Sequence, residues 1–276
     1  MSVIHKSNVS NTGQSLGLAS FLYRTAAEIY ADYAERVTQD GGTVVNAAAA
    51  LSAIEDALNN NYYGDSILAI SPSWGVKKSG GNYIKFYSLM GASSDVIPLG
   101  TVSESVLSGY PIAATSTGAE IKSPPLVAAK SPADGYMVSV VLRRPTSGTA
   151  IFATVKESGS SNLSQLLLSS TGIQNARVFD AAVVSTQTPN IASATVLDAQ
   201  TLQVGILSTR VFNYFRSGSY LSAQVAGGAL ADVSSFNSIF RLTHFAGAGL
   251  AEMWVANRSS VVTAQSLSVD QGGRYA

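Results

Sequence analysis

The chain has 276 residues, 46% of them hydrophobic and 12% charged, with 17 basic against 17 acidic side chains and no cysteine. Zero net charge excludes a strongly basic nucleic-acid binder and an acidic solvating tail; the lack of cysteine excludes disulfides, thiolate zinc sites, iron–sulfur clusters and a cysteine nucleophile. The length supports a substantial core, because folding at this size removes about 75% of the surface of the unfolded chain. Soluble chains average about 25% charged residues, so a folded protein charged this sparsely is poorly protected against self-association. We read its surface as one largely covered by partners.

The apolar positions Leu18, Leu22, Ala26, Ile29, Tyr33 and Val37 recur at three- and four-residue steps, which predicts a helix. Asp40-Gly41-Gly42 ends it, since glycine takes the left-handed position after a helix without penalty. Thr43 is placed to cap a second helix, built on the Ala47–Ala50 run, with Ala47, Ala50, Leu51, Ile54 and Leu58 on one face and Asn59-Asn60-Asn61 as its stop. The expectation is a small helical hairpin that packs on something else.

From residue 66 the pattern shifts to short alternating runs divided by Gly, Ser, Pro and Asn. Strands are predicted at Ser66–Ile70, Asn82–Tyr87, Tyr136–Arg143, Ala150–Val155, Gln165–Ser169, Arg177–Val184, Thr201–Ile206, Tyr220–Val225, Phe236–Leu242 and Leu250–Asn257. A period of two implies one buried and one wet face. Many short strands with such punctuation imply a sandwich or barrel. Ser71–Thr117, interrupted by Pro72, Gly75, Gly80-Gly81, Gly91, Pro98, Gly100 and Pro111, reads as a strand-poor connector or a partial first sheet. Apolar stretches such as Ala47–Leu51 and Val138–Leu142 are far shorter than the ~20 residues a membrane-spanning helix needs. The N-terminal Leu16–Tyr23 patch is not read as a signal peptide.

Gly135–Arg143, Gly148–Gly159, Leu202–Val225 and above all Gly249-Leu250-Ala251-Glu252-Met253-Trp254-Val255-Ala256-Asn257-Arg258-Ser259 resemble successive segments of a concanavalin A-like, laminin G-type jelly roll. Val261–Tyr275 is similar to its closing helix and tail. The resemblance implies a mainly β fold, an antiparallel jelly-roll β-sandwich preceded by the helical hairpin. Metal-binding members of that family cluster Asp and Asn on the sandwich rim; here Asp180, Asp198, Asp232 and Asp270 are scattered, so no metal site is expected. A second likeness lies near the start. Tyr33-Ala34-Glu35-Arg36-Val37-Thr38-Gln39-Asp40-Gly41-Gly42-Thr43-Val44, followed by an Ala-rich helix and by Ser73-Trp74-Gly75-Val76-Lys77, resembles a segment of tailed-phage structural proteins. It implies a virion location, a homo-oligomer and contacts with other virion proteins. The expected division is residues 1–65 as a helical docking and assembly segment, 66–130 as a connector with irregular strands, and 131–276 as the jelly roll.

Catalytic groups are few. His5 and His244 are the two histidines, and no nucleophile elbow, zinc-protease or phosphate-loop motif accompanies them. Glu252 is the best candidate for a glycosidase carboxyl, although the jelly-roll resemblance implies a structural glutamate there, paired with backbone or arginine. The expectation is therefore a non-enzymatic particle component (decoration, collar, fibre-base or baseplate) with no catalytic residues, no cofactor, no nucleic acid and no membrane insertion. The alternative is a lectin-like module for host-surface glycans, using loops around Tyr214–Tyr220 and Asn257–Ser260. Tyr62, Tyr63, Trp74, Tyr214, Phe215 and Arg216 are the interaction candidates, because aromatic and arginine side chains dominate binding hot spots, although for Trp74 and Phe215 core packing is the stronger reading.

Overall fold

A computed structural model describes residues 24–116, 119–122, 126–127, 136–143, 149–156, 163–169, 174–180, 183–187, 197–204, 211–225, 237–238, 241–243, 249–256 and 260–276. Predictions that fall on Leu18 and Leu22, His5, His244, Asp232 and the Asn257–Ser259 turn lie outside these residues.

The chain opens on helix α1 (Ala26–Gln39), which starts in a capping box between Thr25 and Glu28 and buries Ile29, Tyr33 and Val37 at four-residue steps. It ends as its glycines predict. The Gly41 amide bonds Thr38 O and the Gly42 amide bonds Val37 O, with Gly41 at φ +71°. Thr43 does not cap the next helix. Thr43–Val44 forms strand β1, paired with Val76 and Gly75, which commits Thr43 to an extended ladder. Asn46 caps α2 (Ala47–Asn59) instead, its side chain accepting from the Ala49 amide. The buried face of α2 is also turned from the expected one: Ala50, Ala53, Ile54 and Ala57 are buried, Leu51 and Leu58 only partly, and Ala47 is exposed. Alanines on the inner face let the helix approach the core closely.

Strands β2 (Ser66–Ile70), β3 (Gly75–Ser79), β4 (Asn82–Tyr87), β5 (Val102–Leu107), β6 (Tyr110–Thr115), β7 (Glu120–Lys122) and β8 (Leu126–Val127) follow. The remainder are β9 (Tyr136–Arg143), β10 (Thr149–Lys156), β11 (Leu163–Ser169), β12 (Gln174–Asp180), β13 (Val183–Gln187), β14 (Asp198–Val204), β15 (Val211–Arg216), β16 (Ser219–Val225), β17 (Asn237–Ser238), β18 (Arg241–Thr243) and β19 (Gly249–Ala256). Helix α3 (Val261–Arg274) closes the chain. All the pairings are antiparallel. An 11-stranded sheet runs β1-β3-β4-β5-β6-β19-β9-β14-β15-β16 with β2 also on β19; a second runs β13-β12-β11-β10-β18-β7; β8 and β17 pair separately. Residues 66–130, expected as a connector with irregular strands or a partial first sheet, supply five strands of the large sheet, β2 to β6. Two predicted strands are each divided. Arg177–Val184 spans the end of β12 and the start of β13, and Phe236–Leu242 contains β17 and the start of β18, which belong to different sheets.

The central strand is β19. It bonds β9 along its length, and on its other side β6 at Gly249–Leu250 and β2 at Met253–Ala256. All eight of its residues are buried, and so are Met137 to Leu142 of β9. The expected wet face is absent there because helices cover it: Met137, Trp254 and Ala256 share a core with residues of α1, α2 and α3, while the alternating Val138, Val140, Met253 and Val255 are buried as well.

α1 sits so close to the sheet that Gly75 tolerates no side chain. A Cβ there would lie 2.4 Å from Tyr33 Oη and 2.8 Å from Val37 Cγ2. Tyr33 Oη instead accepts the Gly75 amide at 2.6 Å and donates to Tyr87 O at 3.2 Å. Gly75→Ala is expected to cost about 1–3 kcal/mol through overpacking, read as a lower denaturation midpoint. Gly64→Ala, whose Cβ meets nothing within 4 Å, serves as the neutral control.

Candidate functional site

The six predicted interaction residues do not form an exposed patch. Tyr62, Trp74, Tyr214 and Phe215 are at most 1% exposed. Tyr63 is half-buried with its hydroxyl on Leu89 O, and Arg216 is half-buried with Nε 3.0 Å from Asp198 Oδ1. The burial of Tyr62 and Tyr214 departs from surface anchoring, whereas that of Trp74 and Phe215 is the core packing the sequence favoured for them. Tyr62 and Trp74 do come together, both edge-on to Trp254 at ring-centroid distances of 5.2 and 6.0 Å. Tyr220, opposite Phe215 on β16, is an exposed aromatic of that hairpin, with half its surface accessible.

Beneath α3 lies a connected polar cluster. The Glu252 carboxylate is fully buried on β19. Its Oε1 accepts from Trp254 Nε1 at 2.8 Å, Gln271 Nε2 at 3.1 Å and Arg274 Nη2 at 2.5 Å, and its Oε2 accepts from Arg274 Nε at 3.1 Å. Arg274 Nη1 reaches across to Asp56 Oδ2 of α2 at 2.5 Å. The Gln271 carbonyl accepts from the Ser139 hydroxyl, which lies 2.6 Å from Thr201 Oγ1. Nearby, Asp270 Oδ2 accepts from Tyr62 Oη and Asn60 Nδ2, each at 2.9 Å. Burial pushes the Arg274 guanidinium down, but the carboxylate of Glu252 outweighs it, so Arg274 is held above its ordinary value. Burial raises the Tyr62 and Tyr275 hydroxyls and the Asp270 carboxyl.

The cluster ties α2, α3, β9, β14 and β19 together. A general acid or base must reach a substrate proton at about 2.6–3.2 Å, whereas both oxygens of Glu252 face inward onto these donors. Its pairing with an arginine matches the structural role weighed from sequence. The arginine itself was not legible, since Arg274, Gln271 and Asp56 are brought to Glu252 by tertiary packing. A usable sign was present: Ser268 and Gln271 fall on the same helical stripe as Ala264 and Leu267, which places polar groups on the buried side of α3. Among the described residues, no group of three or more His, Asp or Glu side chains is placed to hold a metal ion, and no helix is long and apolar enough to cross a membrane.

No family model matches the chain, and no curated protein matches its sequence. Solved structures do resemble it. The receptor binding domain of botulinum neurotoxin D aligns with a TM-score of 0.55 and 10% identity over 77% of this chain and 54% of its own. The binding domain of botulinum neurotoxin DC in complex with SialylT aligns at 0.53 and 8% identity over 76% and 52%, and the same domain in complex with rat synaptotagmin II at 0.53 and 7% over 76% and 52%. The chain thus spans about half the length of the structures it resembles. At these identities the likeness establishes the fold: mainly antiparallel β with a small N-terminal helical region.

Proposed function

We propose that this chain is a non-enzymatic recognition module, a jelly-roll β-sandwich that binds a host-surface glycan. The observation that carries the reading is the fold, shared over three-quarters of the chain with receptor binding domains, one of them recorded in complex with SialylT. The sealed environment of Glu252 favours binding over cleavage, since the carboxylate best placed in sequence for glycoside chemistry is committed to Arg274, Gln271 and Trp254. The test is a glycan array probed with the full chain, with and without calcium, followed by assay of each hit for released reducing ends. Saturable binding without release supports the reading. An array without hits overturns its binding half; released reducing ends overturn its non-enzymatic half.

A second reading, a structural component of a phage particle, is favoured by a separate observation. The two segments that resemble tailed-phage structural proteins fold against one another: Val44 pairs with Gly75, the Val45 amide bonds Trp74 O, and Tyr33 receives the Gly75 amide. They behave as one unit, as a shared docking element would. Immunogold labelling of purified particles at a fixed position supports a virion location, and unlabelled particles that lack the chain by mass spectrometry overturn it.

A further inference from the structure

Helix α3 is fastened by charges of unequal number. Glu252 of β19, Asp56 of α2 and Asp270 of α3 itself come together around Arg274. The guanidinium is committed to the first two, with Nε and Nη2 on Glu252 and Nη1 on Asp56. Asp270 has neutral donors instead, Tyr62 Oη and Asn60 Nδ2, each 2.9 Å from its Oδ2. The half-buried Asp270 therefore holds a negative charge against α2 with no ion pair of its own among the described residues. Burial raises its carboxyl above the ordinary aspartate value, the charge of Asp56 adds to this, and the bonds from Tyr62 and Asn60 and the charge of Arg274 offset only part of it.

The geometry also says where a proton can go. Both donors to Asp270 sit on Oδ2, so a proton taken up at Oδ1 breaks neither bond and removes the charge. At Glu252 each oxygen already accepts from Arg274, and a proton there would compete with the guanidinium. The other ionisable groups on the elements around α3 are placed elsewhere. Arg216 lies 3.0 Å from Asp198, Arg143 lies 3.5 Å from Ser105, the Tyr275 hydroxyl donates to Ala251 O, and Glu55 of α2 is exposed.

We propose that α3 is a proton-tightened latch: one proton taken up at Asp270 neutralises the unpaired charge and docks the helix more firmly on α2 and the large sheet as the pH falls. A carboxyl that holds its proton more readily in the folded than in the unfolded chain links folding to proton uptake. The stabilisation is absent well above the folded-state titration point, grows as the pH falls through it, and is complete below the ordinary aspartate value of 3.8. The latch reaches the β15–β16 turn, because the Gly218 amide bonds Ser268 Oγ at 2.9 Å, Val269 fills the space a Gly218 side chain would need, and Gly272 abuts Ser217. This device goes beyond glycan recognition and does not depend on it.

The test is a carbon-13 NMR titration of the assigned Asp270 carboxyl in the full chain, with hydrogen exchange of the α3 and Gly218 amides at several pH values. Asp270 is expected to titrate above 3.8. After correction for the intrinsic exchange rate, protection of these amides should rise as the pH falls, by up to about tenfold for each pH unit between the folded and unfolded titration points. Asp270→Asn keeps an acceptor for Tyr62 and Asn60 without the charge, so it should show the higher protection already at neutral pH and lose the rise. An Asp270 that titrates at or below 3.8 overturns the proposal. So does protection in the wild type that stays level or drops as the pH falls, or a rise of equal size in Asp270→Asn.

Discussion

Arg274→Met is expected to destabilise the fold by about 3–5 kcal/mol, because removing one partner of a buried ion pair leaves the other charge unpaired in the interior. Here the stranded charge is that of Glu252, which is fully buried, while Asp56 is partly exposed to water. Glu252 loses the Arg274 donor at Oε2 and one of the three donors at Oε1, keeping Trp254 and Gln271, and Asp56 loses its bond to Arg274. Methionine keeps much of the aliphatic length of arginine, so the loss reports charge and hydrogen bonding more than volume. The apparent melting midpoint should fall by about 10 °C. The informative comparison is Glu252→Gln/Arg274→Met. Replacing both partners removes the stranded Glu252 charge while Trp254 Nε1 keeps an acceptor, so the double variant should recover at least half of the loss, a coupling readable in a double-mutant cycle. If Arg274→Met costs less than about 1 kcal/mol, the cluster is not what fastens α3 to the sheet.

Trp254→Ala should cost about 3–5 kcal/mol, the usual range for deleting a large buried aromatic. Trp254 stands where the helices meet β19, with Tyr62 and Trp74 edge-on to its ring and its indole N–H on Glu252. Its removal opens a cavity, loses two aromatic contacts and takes one donor from a buried carboxylate. Trp254→Phe keeps most of the volume and should recover much of the loss, but not the bond to Glu252. The two tryptophans of the chain are Trp74 and Trp254, so fluorescence and near-ultraviolet circular dichroism report this cluster directly. A Trp254→Ala protein with the wild-type denaturation midpoint would contradict the packing described.

How far the sequence could be read depended on the range of the interactions. Ser66–Ile70 and Asn82–Tyr87 are found at their predicted limits because each is a short apolar-rich run with Gly just before it, at Gly64 and Gly80-Gly81. β5, β6 and β15 were missed although each borders a Ser-Gly hairpin turn. Ser108-Gly109 and Ser217-Gly218 both take positive φ, the signature of tight two-residue hairpins. In the first hairpin, Pro98, Gly100 and Pro111 drew attention as breakers, although Pro111 is accommodated within β6. Thr43 was read as a helix cap because cap preference is local, whereas its pairing with Val76 is not. The same division holds at the candidate site. Glu252 stood out in its strand, but Gln271 and Arg274, which hold it, lie 19 and 22 residues on in a separate helix, and the second carboxylate on Arg274, Asp56, lies 218 residues before that arginine. Tyr62 and Tyr214, chosen as surface anchors, are buried, because composition records how apolar a side chain is and not which face a tertiary layer covers.

The direct test of the recognition reading is saturable binding of the labelled full chain to intact bacterial cells, before and after periodate oxidation of their surface sugars. Periodate cleaves vicinal diols and leaves most of the surface protein in place. The account predicts saturable binding that oxidation removes. Binding that survives oxidation unchanged, or no binding across a broad panel of cells, would contradict it.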